Sequence, residues 1–397
     1  MAATVPAAEM SSPSAVRALD YRIEPTTAGR GFDGQTCWVH ARAGAIPPHT
    51  ALNPADTPLV VMTLQKLLLS GSDIFYGLHS MHTSDLGQTW SEPRPQKTLA
   101  RRREGEDVEA VLANFTPKWH SASATLLGTG DIVRYRGDKI LAGRTDEVAW
   151  SKYDPSRRVW SDWAILQMPD EPKFKFSTAG CTQRVDLPNG DILLPIYFRR
   201  LEAKQYSATV VRCRFDGKTL RYAEHGDELT IAVDRGFGEP SLAQLGGRFY
   251  LSLRNDQHGY VTRGDDGLHF AAPRRWTFDD GADLGNYNTQ QHWVTHRNGL
   301  FLVYTRRGAN NDHVFRHRAP LFIAQVDPER LCVIRATERI LAPNRGAGLG
   351  NFGVADVGPN ETWVIASEWM QPKGCEKYGS DNSIFTAKIL WNDRRGK

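Results

Sequence analysis

The stretch HTSDLGQTW (residues 82–90) decides the fold that this sequence predicts. Asp85 can accept hydrogen bonds from the backbone N–H groups that follow it, and Gly87 supplies a turn conformation that other residues resist. Trp90 is large enough to plug into the sheet below the turn. The pattern therefore indicates a stapled turn between two strands rather than an active site, and its repetition would indicate a repeated fold.

Weaker copies of this turn follow at intervals of roughly 50–70 residues. They are RGDDGLHF (263–270), which keeps Asp265 and Gly267, FDGKTL (215–220) and SKYDPSRRVW (151–160). A second repeat consists of an apolar strand, a turn containing Gly or Asn, and a second apolar strand that ends in charge. Such hairpins are predicted at 37–66, 119–136, 181–200, 239–256, 291–307 and 351–369. Because helix signals are nearly absent, the chain is predicted to be all-β.

The two repeats together predict a single β-propeller built from four-stranded blades. We expect seven blades, with six as the alternative. We assign residues 17–393 to the propeller and residues 1–16 to a flexible N-terminal segment. The segment SIFTAKILW (383–391) is expected to pair with the segment near 18–24 and so close the ring. A β-sandwich would also accommodate many short strands, but it would not explain the length of the repeat.

Composition and charge exclude several classes of function. The 397 residues are 40% hydrophobic, which is ample for a core, and the net charge of +4 is modest. The basic run in ARRREGE (100–106) is short and diluted by Glu, so no nucleic-acid partner is expected. The apolar stretch at 58–69 is too short to span a bilayer, so no membrane partner is expected. We expect a monomer. No signal peptide is visible, which leaves a cytoplasmic protein or a processed secreted form.

Cysteine and histidine spacings favour neither a disulfide framework nor a metal centre. The five cysteines are far apart with no Cys-x-x-Cys pair, which predicts buried free thiols. The segment GANNDHVFRHR (308–318) contains His313 and His317, four residues apart, with Asp312 beside them, but no further ligand that would complete a metal site is evident nearby. We interpret it as a long loop over the active face, with His313 among the substrate contacts. No cofactor is predicted to be required, and a structural Ca²⁺ inside the propeller stays open.

Propeller geometry brings the starts of the inner strands and the ends of their hairpin partners to one face. A ring of Arg and His with a few carboxylates at that face suits an acidic sugar, because Arg binds a carboxylate through two parallel hydrogen bonds. The alternative interpretation is a solvated, charged rim without a ligand. The starts offer His40, His120, Gln183, Glu239 and His292, and the ends offer Arg199, Arg254 and Arg306.

The Asp-containing turns resemble the Asp boxes of the sialidase-like β-propellers. Glu239 and Arg254 resemble the sialidase pair of a Glu at an inner-strand start and an Arg about fifteen residues later, and Arg306 stands where the next carboxylate-binding Arg is expected. YRIEP (21–25) is similar to a distorted Tyr/Phe-Arg-Ile-Pro motif. The nucleophilic Tyr is missing, because that region reads LGNFGV with Asn351 and Phe352. The resemblance implies carboxylate binding without the covalent chemistry of a sialidase.

Longer segments resemble a more specific family over about residues 17–393. CWVHARAGAIP, FTPKWHSASATLLGTG, YNTQQHW and RRGANNDHVFRHRAPLF (306–322) look like the seven-bladed L-rhamnose-α-1,4-D-glucuronate lyases, which are polysaccharide lyase family 42 and were formerly classed as a rhamnosidase family. The resemblance implies removal of terminal rhamnose from glucuronate in arabinogalactan or gum-arabic chains, with an unsaturated uronate left behind. The family has also been read as hydrolytic, with a single His on the opposite face, and His40 would match it.

β-Elimination needs a neutralised carboxylate and a group that moves a proton. His120 is the first choice as base and acid, with His40 as its rival. The other residues would bind the substrate: Arg254 and Arg306 at the carboxylate, and Glu239, His292, Gln183 and Arg199 at the sugars. Two alternatives stay open. An exo-glycosidase, either an α-L-rhamnosidase or a sialidase-like hydrolase, predicts a saturated product, and a non-catalytic binder of acidic sugars predicts no turnover.

Overall fold

A computed structural model describes residues 18–71, 73–141 and 143–392, so the predicted flexible segment 1–16 lies outside the described residues. The regular structure of these residues is made of strands and short 3₁₀ turns. The turns are Lys97–Leu99, Ser121–Ser123, Pro172–Phe174, Phe315–His317, Arg335–Thr337 and Cys375–Tyr378. No helix in this part of the chain is long and apolar enough to cross a membrane.

The strands of the described residues form six antiparallel sheets. Strand β1 (Tyr21–Gly29) belongs to the last sheet. The first sheet contains β2 (Thr36–Ile46), β3 (Leu59–Leu68), β4 (Phe75–Thr83) and β5 (Arg94–Pro95). The second contains β6 (Arg102–Arg103), β7 (Glu109–His120), β8 (Thr125–Arg136), β9 (Lys139–Ile140), β10 (Val148–Asp154), β11 (Val159–Trp160) and β12 (Ala164–Ile165). The third contains β13 (Phe176–Thr178), β14 (Val185–Asp186), β15 (Asp191–Arg199), β16 (Ser207–Phe215) and β17 (Leu220–His225).

The remaining three sheets complete the ring. The fourth contains β18 (Gly238–Leu245), β19 (Arg248–Arg254), β20 (Gly259–Gly264) and β21 (Arg274–Arg275). The fifth contains β22 (His292–His296), β23 (Gly299–Tyr304), β24 (Leu321–Asp327), β25 (Cys332–Val333) and β26 (Arg339–Ala342). The sixth contains β27 (Gly353–Gly358), β28 (Glu361–Ser367), β29 (Ile384–Trp391) and β1. Neighbouring sheets contact each other through their first or second strands around the whole circle, which makes the fold a β-propeller.

The propeller has six blades in the described residues, so the expectation of seven is wrong and the alternative of six is correct. The long interval between the predicted hairpins at 37–66 and 119–136 contains no additional blade. Its length goes into long inner strands, since β2 has 11 residues and β7 has 12, and into the loops between them.

One predicted hairpin is also wrong. Residues 119–136 were expected to turn at their central glycines, but β8 runs without a turn from Thr125 to Arg136. The actual turn lies at Ser121–Ser123, and the inner strand of this blade is β7, which comes before it. Gly128 and Gly130 lie inside β8. Both positions require glycine, because a Cβ there would collide with Phe115 and with the backbone of Ala113. They serve close packing rather than a turn.

Asp turns link the third and fourth strands of five blades, of which four were predicted and the turn at Asp327 was not. Asp85 accepts hydrogen bonds from the Thr89 backbone N–H at 3.0 Å and the Thr83 hydroxyl at 2.7 Å, and Gly87 has a φ of 74°. Equivalent aspartates accept backbone N–H bonds in the other four blades: Asp154, Asp216, Asp266 and Asp327. In the copy at 263–270 the bonding residue is thus Asp266 and not Asp265. The sixth blade has no such turn because its third and fourth strands are β29 and β1, from distant parts of the chain.

The ring closes as predicted, because β1 pairs with β29 in antiparallel register from Tyr21↔Trp391 onward. Trp391 is 5% exposed and packs at this seam. Its ring lies 5.2 Å from that of Tyr21 and 5.1 Å from that of Phe301, and it stacks on His296 at 4.4 Å. The closing strand is therefore fixed by side-chain packing between blades as well as by backbone pairing.

Trp391→Ala is expected to lower the free energy of unfolding by about 3–5 kcal/mol, because it leaves a cavity at the seam that joins the two distant ends of the ring. The guanidinium chloride midpoint would measure this loss. Ile340→Ala is the matched control, since Ile340 is 54% exposed and its truncation should leave the midpoint nearly unchanged. Equal shifts in the two variants would contradict the role of the seam.

Candidate active site

A cavity of about 850 Å³ opens at the end of the ring where the inner strands begin. All six blades contribute to its lining. The chemically active lining residues are His40, Asp73, Asn114, Asp131, Arg144, Asp146, Cys181, Tyr197, Tyr206, Arg235, Glu239, Arg254, Asp256, Arg316, Arg318 and Asn351. The Asp85 turn lies at the opposite end, because β4 runs from Phe75 at the cavity to Thr83 beside that turn. The turns thus hold the scaffold, and the cavity lies on the other face.

Three inner strands carry a β-bulge at the level of the cavity. The register shifts between Val39 and Arg42, between Ala113 and Thr116, and between Gly238 and Ser241. Each bulge contains a cavity-lining residue with positive φ: His40 at 54°, Asn114 at 53° and Glu239 at 43°. Bulges of this kind re-aim a side chain at the cost of backbone strain, and such strain clusters at functional sites.

Glu239 and Arg254 form an ion pair at the cavity wall. Arg254 Nη2 also donates to Asn288 Oδ1 at 2.6 Å. The second carboxylate oxygen of Glu239, Oε2, is buried and has no hydrogen-bond partner in the described residues. The structure therefore brings together two of the residues predicted from the sequence and leaves one acceptor of the pair without a donor.

Two further guanidinium groups line the cavity without a carboxylate partner in the described part of the chain: Arg316 and Arg318. Arg318 Nη2 donates to the Asn288 carbonyl, whereas its Nε is buried and unpaired. Burial and the nearby Arg254 guanidinium lower the pKa of Arg318 to about 9. An anion bound here would relieve both effects, so this part of the cavity favours a carboxylate, sulfate or phosphate group.

The loop that carries these two arginines follows β23 and is held by a buried amide. Asn311 Nδ2 donates to the carbonyls of Arg306 at 2.9 Å, His317 at 3.3 Å and Ala319 at 2.6 Å. The loop therefore folds back over the cavity. Sequence reasoning assigned the loop to the active face but missed both arginines, because nothing in their spacing indicates which way the loop turns.

A buried carboxyl pair lies on the second blade's side of the cavity. Asp131 is 3% exposed and accepts a hydrogen bond from Asn114 Nδ2 at 2.9 Å, and Asp146 is 2% exposed with Oδ1 unpaired. Burial raises the pKa of Asp131 to about 6. The pKa of Asp146 is raised well above its usual value by burial and by the neighbouring Asp131. Two carboxyl groups held in this way can donate a proton near neutral pH.

The raised pKa of Asp131 makes the effect of Asp131→Asn on stability depend on pH. The protonated carboxyl stabilises the fold fully only below about pH 4, and this contribution is lost as the pH rises through about 6. The substituted amide can still accept the Asn114 bond and cannot ionise. Melting temperature should therefore rise in the variant at about pH 8 and change little at about pH 4. Asp56→Asn, at a side chain that is 98% exposed, should shift neither value. A pH-independent shift would contradict the burial of the Asp131 charge.

His40 lies at the floor of the cavity between Phe75 and Trp369, with ring centroids 4.9 Å and 5.6 Å away. Burial lowers the pKa of His40 well below its usual value, and the Arg42 guanidinium lowers it further. Nδ1 has no hydrogen-bond partner in the described residues. The ring is thus a neutral imidazole, and its unpaired Nδ1 suits a proton acceptor.

Tyrosine side chains form the facing wall. The Tyr197 and Tyr206 rings contact each other edge-on at 5.4 Å, and Tyr206 packs on Phe176 at 5.5 Å. Burial and the nearby Glu239 carboxylate raise the pKa of Tyr197 well above its ordinary value, so its phenol stays protonated. Sequence reasoning missed both tyrosines, because Tyr197 lies near the end of the predicted hairpin 181–200 without a motif and Tyr206 lies outside the predicted hairpins.

His120 does not lie at the cavity, which corrects the first choice of base. It is the last residue of β7 and lies at the opposite face, because the chain turns at Ser121–Ser123 and not at the predicted glycines. Both ring nitrogens have protein partners, since Nδ1 contacts Ser123 Oγ at 2.7 Å and Nε2 contacts the Gly190 carbonyl at 3.0 Å. His120 thus fastens the β7–β8 turn to the next blade.

His292 and Gln183 lie between inner strands and are absent from the cavity lining. His292 contacts Ser241 Oγ and Gln290 Nε2, both at 2.7 Å, and burial lowers its pKa to about 3. Gln183 bonds both the N–H and the carbonyl of Trp293 at 2.8 Å. They were expected to orient sugars, but they join inner strands of different blades instead.

Arg306, Arg199 and His313 also lie outside the cavity lining. Arg306 pairs with Glu338 through two hydrogen bonds at 2.8 Å and 2.7 Å, so a substrate carboxylate would compete with a protein carboxylate. Arg199 donates to three carbonyls of the 200–203 turn and packs on Phe176 behind the cavity wall. His313 is exposed and packs against Tyr378 at 4.5 Å.

No metal centre or disulfide is formed by the described residues. All five cysteines are buried and unpaired, as predicted. Within residues 18–71, 73–141 and 143–392, no three His, Cys, Asp or Glu side chains are grouped to hold a metal ion. His317 contacts the Tyr287 hydroxyl at 2.6 Å and Asp312 Oδ1 at 3.2 Å, away from His313.

Comparisons with known proteins agree with this architecture at the level of the fold. No family model and no curated protein matches the sequence. Among solved structures, a protein of unknown function from Dyadobacter fermentans is 14% identical with a TM-score of 0.60, and the match covers 93% of this chain and 99% of that one. The sialidase Hz136, described as Hadza microbial, is 11% identical with a TM-score of 0.61, covering 89% and 66%.

The Trypanosoma rangeli sialidase is 11% identical with a TM-score of 0.57, and the match covers 89% of this chain and 55% of that one. The chain thus spans about half of that enzyme's length. At such identities the likeness concerns the fold, and the resemblance to rhamnosyl-glucuronate lyases stays a prediction. The six blades, the Asp turns and these neighbours together give the chain the fold of the sialidase-like β-propellers.

Proposed function

We propose that the chain is a carbohydrate-active enzyme that cleaves the glycosidic bond next to a carboxylated sugar. The observation that carries this proposal is the pair of cavity guanidinium groups, Arg316 and Arg318, that have no carboxylate partner in the described residues. A uronate or sialic acid carboxylate would supply the missing charge. The aromatic wall of Tyr206 and Phe176 supplies an apolar face for a sugar ring. The sialidase names of the fold neighbours agree with this class of substrate.

Elimination is the chemistry that these groups support best. Arg318 would neutralise the uronate carboxylate and so acidify the neighbouring C5–H. His40 would take that proton, the C4–C5 double bond would form, and the C4–O bond would break. Tyr197 would return a proton to the departing oxygen. For a rhamnosyl-1,4-glucuronate substrate, the products are free rhamnose and an unsaturated glucuronate.

Hydrolysis is the second candidate, and the carboxyl pair favours it. Asp131 keeps a proton up to about pH 6, which is the property of a glycosidase general acid. Water would then add to the sugar, and the product would stay saturated. The cavity has Asn351 rather than a Tyr on the last blade, so a covalent intermediate of the sialidase kind is not proposed.

The first experiment follows ultraviolet absorbance and free rhamnose together during incubation with a rhamnosyl-glucuronate disaccharide or gum arabic. Rising absorbance with rhamnose release supports elimination, because the unsaturated uronate is conjugated. Rhamnose without absorbance supports hydrolysis. If neither signal appears, both reactions on rhamnosyl-glucuronate are excluded, and release of free sialic acid from sialosides is measured next. The methyl ester of the disaccharide is the control, since it lacks the carboxylate and should bind far more weakly.

A further inference from the structure

A second groove, of about 1000 Å³, lies between the outer strands of the first and second blades. It reaches Thr125 at the start of β8, whereas the active-site cavity reaches Val133 near the end of the same strand. The two openings therefore lie toward opposite faces of the propeller. Neither the proposed reaction nor the predicted site residues use this groove.

The groove is lined by an excess of cations: Arg94, Lys97, Lys152, Arg157 and Arg158. Arg94, Lys97, Arg157 and Arg158 are exposed, and within the described residues none of these four forms an ion pair or a side-chain hydrogen bond. Many other arginines of the chain have a carboxylate partner, as Arg134 and Arg335 do. A concentration of unpaired cations at one concave surface favours an anionic ligand.

The two acidic side chains of the groove do not balance these charges. Asp154 Oδ1 accepts hydrogen bonds from the backbone N–H groups of its own turn, and Asp162 pairs with Arg102 at 2.9 Å. Arg158 and Arg94 also act on one nearby ring, since burial and then these two guanidinium groups lower the pKa of His82. The positive charge of the groove is thus shared by residues from both blades.

The floor of the groove is rigid. Gln96 is 5% exposed, and its side chain accepts the Trp160 backbone N–H at 3.1 Å while donating to Ser80 Oγ at 2.7 Å. Thr98 donates to the Trp160 carbonyl at 2.7 Å. These bonds fasten the edge of the first blade to the second, so the cations are held on a preformed surface.

We propose that this groove binds an internal segment of an acidic polysaccharide. The spaced cations suit repeated carboxylates, and Leu52, Pro95 and Pro155 supply apolar contacts for sugar rings. A single-stranded nucleic acid fits less well, because the aromatic side chains of the groove, Tyr153 and Trp160, are 5% and 0% exposed and offer no stacking face. The proposal concerns binding and does not depend on the proposed reaction.

The test measures binding of polygalacturonate fragments to the full chain at low ionic strength. The groove variant is Arg94→Gln/Lys97→Gln/Arg157→Gln, and the control variant Arg103→Gln/Lys204→Gln/Arg275→Gln removes the same charges at other exposed sites. We expect the groove variant to weaken binding about tenfold or more and the control variant to change it little. Arg318→Gln, which alters only the cavity, should retain groove binding even if it lacks activity.

Three outcomes would overturn the proposal. Equal weakening by the groove and control variants would mean that net charge, not the groove, binds the polymer. Loss of binding in Arg318→Gln would move the binding to the cavity. Tighter binding of a single-stranded DNA of matched charge than of polygalacturonate would assign the groove to another polyanion. All three binding measurements can be interpreted even if the protein does not catalyse the proposed reaction.

Discussion

Arg318→Gln is expected to lower kcat/KM on a carboxylated substrate by about 10²–10³-fold. The reason is that Arg318 lines the cavity, its buried Nε is unpaired, and its guanidinium has no carboxylate partner within the described residues. The loss should disappear when the substrate is a methyl ester, because an ester has no charge to neutralise. Steady-state kinetics on the acid and its ester would measure both effects.

Arg306→Gln is the control for this prediction. The sequence pattern favoured Arg306 as a carboxylate ligand, but it pairs with Glu338 outside the cavity. Its replacement should lower stability and leave kcat/KM of the folded protein nearly unchanged. If Arg306→Gln abolished turnover while Arg318→Gln did not, the assignment of the anion site would be wrong.

His40→Asn is expected to reduce kcat by about 10²–10⁴-fold if His40 moves the proton. Asparagine tolerates the positive φ at this position, so the bulge should survive. Substrate affinity should change little, which separates a catalytic role from a structural one. The measurement is the initial rate of unsaturated product formation, with affinity determined separately.

The dependence of the rate on pH distinguishes elimination by His40 from hydrolysis by Asp131. Because the pKa of His40 lies well below its usual value, the imidazole stays neutral as the pH falls through about 6.5, where an ordinary histidine titrates, and elimination should not slow there. Hydrolysis with Asp131 as the acid should instead slow as the pH rises above about 6.

His120→Asn is the matched control. It removes two hydrogen bonds at the β7–β8 turn and should lower the melting temperature while preserving kcat. Loss of turnover in His120→Asn with retention in His40→Asn would show that chemistry occurs on the opposite face.

Local patterns predicted most of the fold. The Asp-Gly turns are encoded in a few neighbouring residues, and the closing pair of strands is encoded in two apolar segments, so both could be read directly. The blade count and the hairpin at 119–136 could not, because glycine inside a strand and glycine in a turn look alike in sequence. Only the tight contact of Gly128 with Phe115 distinguishes them.

The site was harder to predict because it depends on contacts between distant segments. Glu239 and Arg254 share one hairpin, and their spacing sufficed to place both at the cavity, although Arg254 was predicted to bind a substrate carboxylate and pairs with Glu239 instead. Arg318 reaches the cavity only because Asn311 folds the loop back, and no local pattern encodes that turn. The His120 error followed directly from the wrong hairpin, since a shift of one strand moves a residue to the other face of the ring.

The pairing of β1 with β29 also constrains how the protein is made. Thr26 and Thr386, which are hydrogen-bonded across this seam, are 360 residues apart in sequence. During translation β1 leaves the ribosome first and waits with an unpaired edge until β29 emerges. The last blade therefore cannot close before β29 has been synthesised, and chaperone demand during expression should concentrate on that waiting strand.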